Sequence, residues 1–147
     1  MKLYGADDLR ASLRNIATKV PENGRKVMHR AADKIVERAQ LFCPVDLGNL
    51  EESIHKEVKY EQRGRLAIDI VAGGLVGGVD VDAYASEIDE NYESMRPGPG
   101  TIAKRDANPG VYVGEHFIDR AVEEQAPKLE AALIEVTAQT MAEEGGE

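Results

Sequence analysis

The stretch from Gln40 to Ile54, QLFCPVDLGNLEESI, separates two kinds of periodicity. Apolar residues recur every three or four positions before it and every second position after it. Pro44 has no backbone N–H and clashes with the turn before it, so the incoming helix stops near Cys43. Asp46 can accept a hydrogen bond from a backbone N–H two residues on and hold a tight turn. Gly48 tolerates a positive φ. Leu50 and Ile54 then anchor the next element. On local chemistry alone the stretch is a helix-to-strand corner.

Upstream, Asp7 and Asp8 are suited to cap a first helix. Leu9, Leu13, Ile16, Ala17 and Val20 follow at helical spacing. Pro21 and Asn23-Gly24 interrupt that stripe. A second helix runs from about Pro21 or Arg25 to Cys43, with Met28, Ala31, Ala32, Ile35, Ala39 and Phe42 on its apolar side. Lys26, Arg30, Lys34 and Arg38 repeat every four residues on another side, which reads first as a solvated face and second as a contact for an acidic partner.

Downstream, Ile54, Lys56, Val58 and Tyr60 alternate with His55, Glu57, Lys59 and Glu61. After Gln62-Arg63-Gly64, Leu66, Ile68 and Ile70 alternate with Arg65, Ala67, Asp69 and Val71. This predicts an antiparallel hairpin with one face in the core. A third strand is expected within Gly74–Val81, and a short helix beginning at Asp82 as its cap. Asn91–Val111, with Pro97, Pro99 and Pro109, reads as a long irregular segment that orders against a neighbour. Arg96, Lys104, Arg105 and Asp106 are the candidate interface residues of this loop. Val111–Val113 suggests a last short strand. His116–Ala142 reads as a long helix that Pro127 either kinks or divides.

These elements predict one α+β domain over residues 1–147: N-terminal helices, a small mainly antiparallel sheet of three or four strands, and a long C-terminal helix packed on the sheet. Its segments are an N-terminal helix or arm (1–20), a helix (21–43), antiparallel strands (50–82), a long loop (89–112) and a C-terminal helix (115–142). Aromatic residues are 5% and Trp is absent, so the core is aliphatic.

Few chemistries fit. His29, His55 and His116 are scattered and lack the two-His helical spacing of zinc proteases. Cys43 is the sole cysteine, which rules out an intrachain disulfide and a cysteine-built zinc site. Gly98–Lys104 fails as a phosphate loop, because Ala103 precedes the lysine and Arg105 stands where Ser or Thr must hold magnesium. The Gly73–Gly78 cluster lacks the acidic ribose partner of a dinucleotide fingerprint. Asp80 and Asp82, with Glu87, are the weak alternative for a divalent metal in a hydrolase. No cofactor is expected. A net charge of -9 argues against a sequence-independent phosphate-binding surface. The N-terminus lacks the apolar core of a signal peptide, and no run reaches the ~18 apolar residues of a membrane span.

The motif residues also carry a resemblance. Pro44, Val45, Asp46, Gly48, Leu50, Ser53 and Ile54, then Tyr84-Ala85, then Phe117 and Ala121 resemble the neck, or minor tail-component, family of long-tailed bacteriophages. Its members read "Pro-Val-Asp-Thr-Gly-x-Leu-x-x-Ser-Ile", "Tyr-Ala-x-x-Val-Glu" and "Pro-Phe-Leu-x-Pro-Ala". Here Leu47 replaces the Thr, Glu51-Glu52 stands where Arg or Lys is common, and His116 and Arg120 replace the two prolines of the last motif. The resemblance covers roughly residues 25–140. It implies a non-enzymatic virion protein that completes the tail or joins head to tail. It also implies ring assembly with copies of itself, contact with adjoining neck, connector and tail proteins, and DNA passing through without specific binding. Such a protein is made in the host cytoplasm and works in the virion. The acidic surplus then fits a lumen that repels DNA. A soluble regulatory binding module is the alternative from another class.

Overall fold

The computed structural model describes residues 2–4, 9–14, 22–45, 49–60 and 65–145. In chain order the elements are β1 (Lys2–Tyr4), β2 (Leu9–Arg14), α1 (Glu22–Phe42), α2 (Asn49–Ser53), β3 (His55–Tyr60), β4 (Leu66–Ala72), β5 (Leu75–Val76), β6 (Val79–Asp80), α3 (Ala85–Asn91), α4 (Pro99–Ala107) and α5 (Phe117–Gly145). Four strands form an antiparallel sheet in the order β1-β2-β4-β3, and β5 and β6 form a separate ribbon. The fold is α+β, with the long C-terminal helix packed against α1 and the sheet.

The first helix expected from Leu9 and Leu13 is instead strand β2. A spacing of four residues fits both one helical turn and two strand repeats. Ala11 decides between them: Leu9, Ala11 and Leu13 are all buried and pair with Ala72, Ile70 and Ile68 of β4. Asp7, Asp8, Ile16, Ala17, Val20 and Pro21 lie outside the described residues.

Strand β4 is central and buried along its whole length. Leu66, Ile68, Ile70 and Ala72 face α1 with the apolar side of β2. The predicted hairpin is present, in the register Val58↔Ile68 and Tyr60↔Leu66. Its first strand, however, forms a sheet edge, where Val58 is 40% and Tyr60 61% exposed, so β3 contributes little to the core. Helix α1 buries Met28, Ala32, Ile35, Ala39 and Phe42, one stripe at helical spacing. Its most extensive partner is α5, which buries Phe117, Ile118, Ala121 and Val122.

Three further expectations are corrected. The third strand is only the short β5–β6 ribbon, turned by Gly77 and Gly78 at positive φ. The segment expected as a long loop contains α4: Pro99 stands in its first turn, where its missing N–H costs nothing, and Gly98 is the cap. Val111–Val113 is not a strand. Pro127 lies inside α5 without dividing it.

Candidate functional site

The corner after α1 is where four helices meet. Helix α1 ends without a basic residue in its last turn, so its last carbonyls, at the negative end of the helix dipole, need outside donors. Three elements supply them. Lys104 Nζ of α4 donates to the Gln40 carbonyl and to the Cys43 carbonyl at 2.8 Å. The Gly114 N–H donates to the Phe42 carbonyl at 2.9 Å. Arg120 of α5 reaches the same Phe42 oxygen at 3.5 Å.

Lys104 is 12% exposed and 3.4 Å from Glu51 Oε2. Burial pushes its ammonium pKa down, and the Glu51 carboxylate opposes that shift. Glu51, at a position where Arg or Lys is common in the resembling pattern, is met here by the ammonium of Lys104 from α4.

Arg120 holds the segment before α5. Its Nη1 donates to the Tyr112 carbonyl at 2.9 Å, its Nε to Glu115 at 2.9 Å and its Nη2 to Gly114 at 3.3 Å. The guanidinium also lies 4.8 Å from the centre of the Phe42 ring and 5.0 Å from that of Tyr112. Arg105 grips the same segment through the Val113 carbonyl at 2.7 Å. His116, which replaces a proline of the pattern, has φ 54°, a conformation proline cannot adopt. Its N–H donates to the carbonyl of the buried Asp89 at 2.9 Å, and its ring lies 3.7 Å from that carboxylate.

The other motif residues are fasteners as well. Ser53 Oγ donates to the Leu50 carbonyl at 2.7 Å and accepts from the Gly73 N–H at 3.2 Å, which ties α2 to the end of β4. Leu50, Ile54, Phe117 and Ala121 are core residues, and Pro44 is buried. Thr101 of α4, fully buried, accepts from the Val45 N–H at 3.1 Å and from the Tyr92 hydroxyl at 3.0 Å. Tyr84 packs on the core, and burial, then Cys43, raises the pKa of its hydroxyl. Asp46 and Gly48 lie outside the described residues.

Of the four residues proposed for an interface loop, Lys104 and Arg105 are spent inside the chain, while Arg96 and Asp106 are exposed. Asp82, expected as a helix cap, instead accepts from the Gly74 N–H at 3.0 Å and braces the β4–β5 turn. Among the described residues no group of three or more His, Cys, Asp or Glu is placed to hold a metal, and no helix is long and apolar enough to cross a membrane. Sequence reading missed Lys104, Thr101 and Arg120 as parts of the corner; Pro99 at a helix start was the available signal for α4.

These contacts define a small α+β protein in which Lys104, Gly114 and Arg120 fasten the end of α1 to α4, to the segment before α5 and to α5 itself, while the motif residues Leu50, Ile54, Phe117 and Ala121 fill the core beside that corner. Residues 7–88 match the family described as "Bacteriophage HK97-gp10, putative tail-component", and the chain belongs to that family. The match takes in β2 through the first turn of α3 and ends before Phe117–Ala121. No curated protein and no solved structure matches the chain. Membership gives it a structural role among the tail components of a bacteriophage virion.

Proposed function

We propose that the protein is a rigid block of the phage neck, closing with copies of itself into a ring around the DNA channel and completing the joint between head and tail. The observation that carries this reading is the corner. The polar groups of Ser53, Thr101, Lys104 and Arg120 are spent on backbone carbonyls, amides and neighbouring hydroxyls within the chain. A side chain used in this way fixes shape, and shape is what an assembly part supplies.

In a ring, one patch of each copy meets a different patch of the next. The exposed side of α4, with Ile102 47% exposed and Asp106 one turn on, together with the exposed Arg96 ahead of the helix, is the docking face toward the adjoining neck, connector and tail proteins. A net charge of -9 keeps DNA from adhering as it passes. The protein does no bond chemistry, is made in the host cytoplasm and acts in the virion.

The test is electron microscopy of particles assembled without this protein. Filled heads and separate tails are expected, and supplying the protein rejoins them. Normally joined particles in its absence would refute the proposal.

A further inference from the structure

Past the core, α5 carries apolar residues on two opposite sides. Leu129, Leu133 and Val136 are half-buried, and the two leucines pack on the core. Pro127, Ala131, Ile134, Ala138 and Met141 recur at intervals of four, three, four and three, and all are exposed. Ile134 is 64% and Met141 68% exposed. At 3.6 residues per turn this second set faces away from the body. A four–three recurrence sustained over about four turns is the pattern of a helix-packing seam. Glu123 and Glu130 lie along the same side, one turn before Pro127 and Ile134.

A receiving surface lies along a different side of the same helix. Between α1 and α5 runs a groove of about 220 Å³ lined by Val27, Ala31, Leu129 and Ala132, with Arg30 and Lys128 at its edge. Lys26, Lys34 and Arg38 pair with Glu22, Glu37 and Glu124. Among the described residues no carboxylate is paired with Arg30, which is exposed. In a chain of net charge -9, cations at the edge of an apolar groove select an occupant that is both apolar and acidic.

We propose that the exposed stripe of α5 in one copy seats in the α1–α5 groove of the next copy, with Glu123 and Glu130 meeting Arg30 and Lys128. The inference deepens the ring reading and rests on it. The stripe and the groove use different sides of α5, so one copy engages two neighbours at once. Such head-to-tail contacts propagate and close where the rotation allows.

The test uses the full chain with Ile134→Glu, which spoils the stripe, and Ala31→Glu, which spoils the groove. Sedimentation velocity reads assembly and circular dichroism confirms that each variant keeps its helix content. Wild type is expected to self-associate and each variant alone to be monomeric. Mixed in equal amounts, the variants are expected to form a heterodimer, because each keeps the half that the other lacks. Arg30→Glu is expected to weaken wild-type assembly, and adding Glu130→Arg to restore it. Self-association of Ala31→Glu at the wild-type level would mean that stripe meets stripe, and would overturn the proposal. So would a monomeric wild type, or assembly that survives Ile134→Glu. An oligomer that survives both substitutions removes this contact and leaves the ring standing. A verified contact in a protein dispensable for joining virions removes the neck reading and leaves the contact.

Discussion

Lys104 Nζ lies 2.8 Å from the carbonyl oxygen of Cys43, and so a lysine from α4 closes the end of α1. The helix has no basic residue of its own in the last turn, and the cation arrives from a segment 61 residues downstream. Lys104→Met keeps most of the aliphatic bulk but leaves the Gln40 and Cys43 carbonyls and Glu51 without that partner. Charged hydrogen bonds of this kind contribute about 1.5–3 kcal/mol each, and the losses are not additive. We expect a loss of about 2–3 kcal/mol in urea unfolding. Glu51→Lys is expected to destabilise less, and Lys104→Glu is not expected to rescue it, because the carbonyls would still lack their donor. An unchanged urea midpoint for Lys104→Met would show that the contact contributes nothing.

Arg120 and His116 are the two places where this chain departs from the prolines of the last motif, and both departures have work in the structure. Arg120→Lys keeps the charge but loses the planar fork that reaches Tyr112, Gly114 and Glu115 together. Residues 111–116 are expected to become a site of early cleavage in limited proteolysis, with α5 otherwise intact. His116→Pro is expected to cost more than about 1 kcal/mol, since it forbids a φ of 54° and removes the N–H bonded to Asp89. A thermal midpoint for His116→Pro at or above wild type would contradict the geometry.

What was legible in the sequence was periodicity, and what was hidden was anything resting on distant partners. The hairpin and α1 were readable because alternation and the three–four stripe each pointed one way. Leu9 and Leu13 were not, because a spacing of four satisfies both periods and only pairing with β4 settles it. The exposure of Val58 and Tyr60 follows from β3 lying at the sheet edge, which no local pattern encodes. At the corner, Pro44, Leu50 and Ile54 were legible as a turn with apolar anchors. Lys104 and Thr101 were not, because their roles depend on α4 folding back over a segment far away in the chain.

Ser53 and Gly73 form the joint between α2 and the sheet. Ser53→Ala removes the acceptor for the Gly73 N–H and one bond to Leu50, and is expected to cost about 1 kcal/mol. Gly73→Ala is expected to cost more. A Cβ there would stand 2.0 Å from Asp82 Oδ1, an atom already held by the Gly74 N–H, on a backbone with φ 151°. Calorimetric midpoints should therefore fall in the order wild type, Ser53→Ala, Gly73→Ala. The reverse order of the two variants would mean that the turn yields more easily than its contacts imply.

On the face of the sheet away from α1, Asp69 accepts from Ser12 Oγ at 2.6 Å and from Lys59 Nζ at 3.0 Å, with Arg10 at 3.5 Å and Glu57 bonded to the same arginine. Burial alone would raise the Asp69 pKa, but the Ser12 and Lys59 hydrogen bonds and the charges of Lys59 and Arg10 outweigh it and hold the carboxyl below its ordinary range. A carboxyl with a depressed folded-state pKa binds fewer protons folded than unfolded. Its contribution is therefore complete above the unfolded value of about 4 and is lost as pH falls through the lower folded value. Asp69→Asn removes that dependence along with the charge. The stability gap between wild type and Asp69→Asn, followed by urea unfolding from neutral pH into acid, is expected to stay constant down to about pH 4 and then narrow. A gap that stays constant into strong acid would show that Asp69 takes its proton equally readily folded and unfolded, and that the Ser12, Lys59 and Arg10 contacts do not hold its charge.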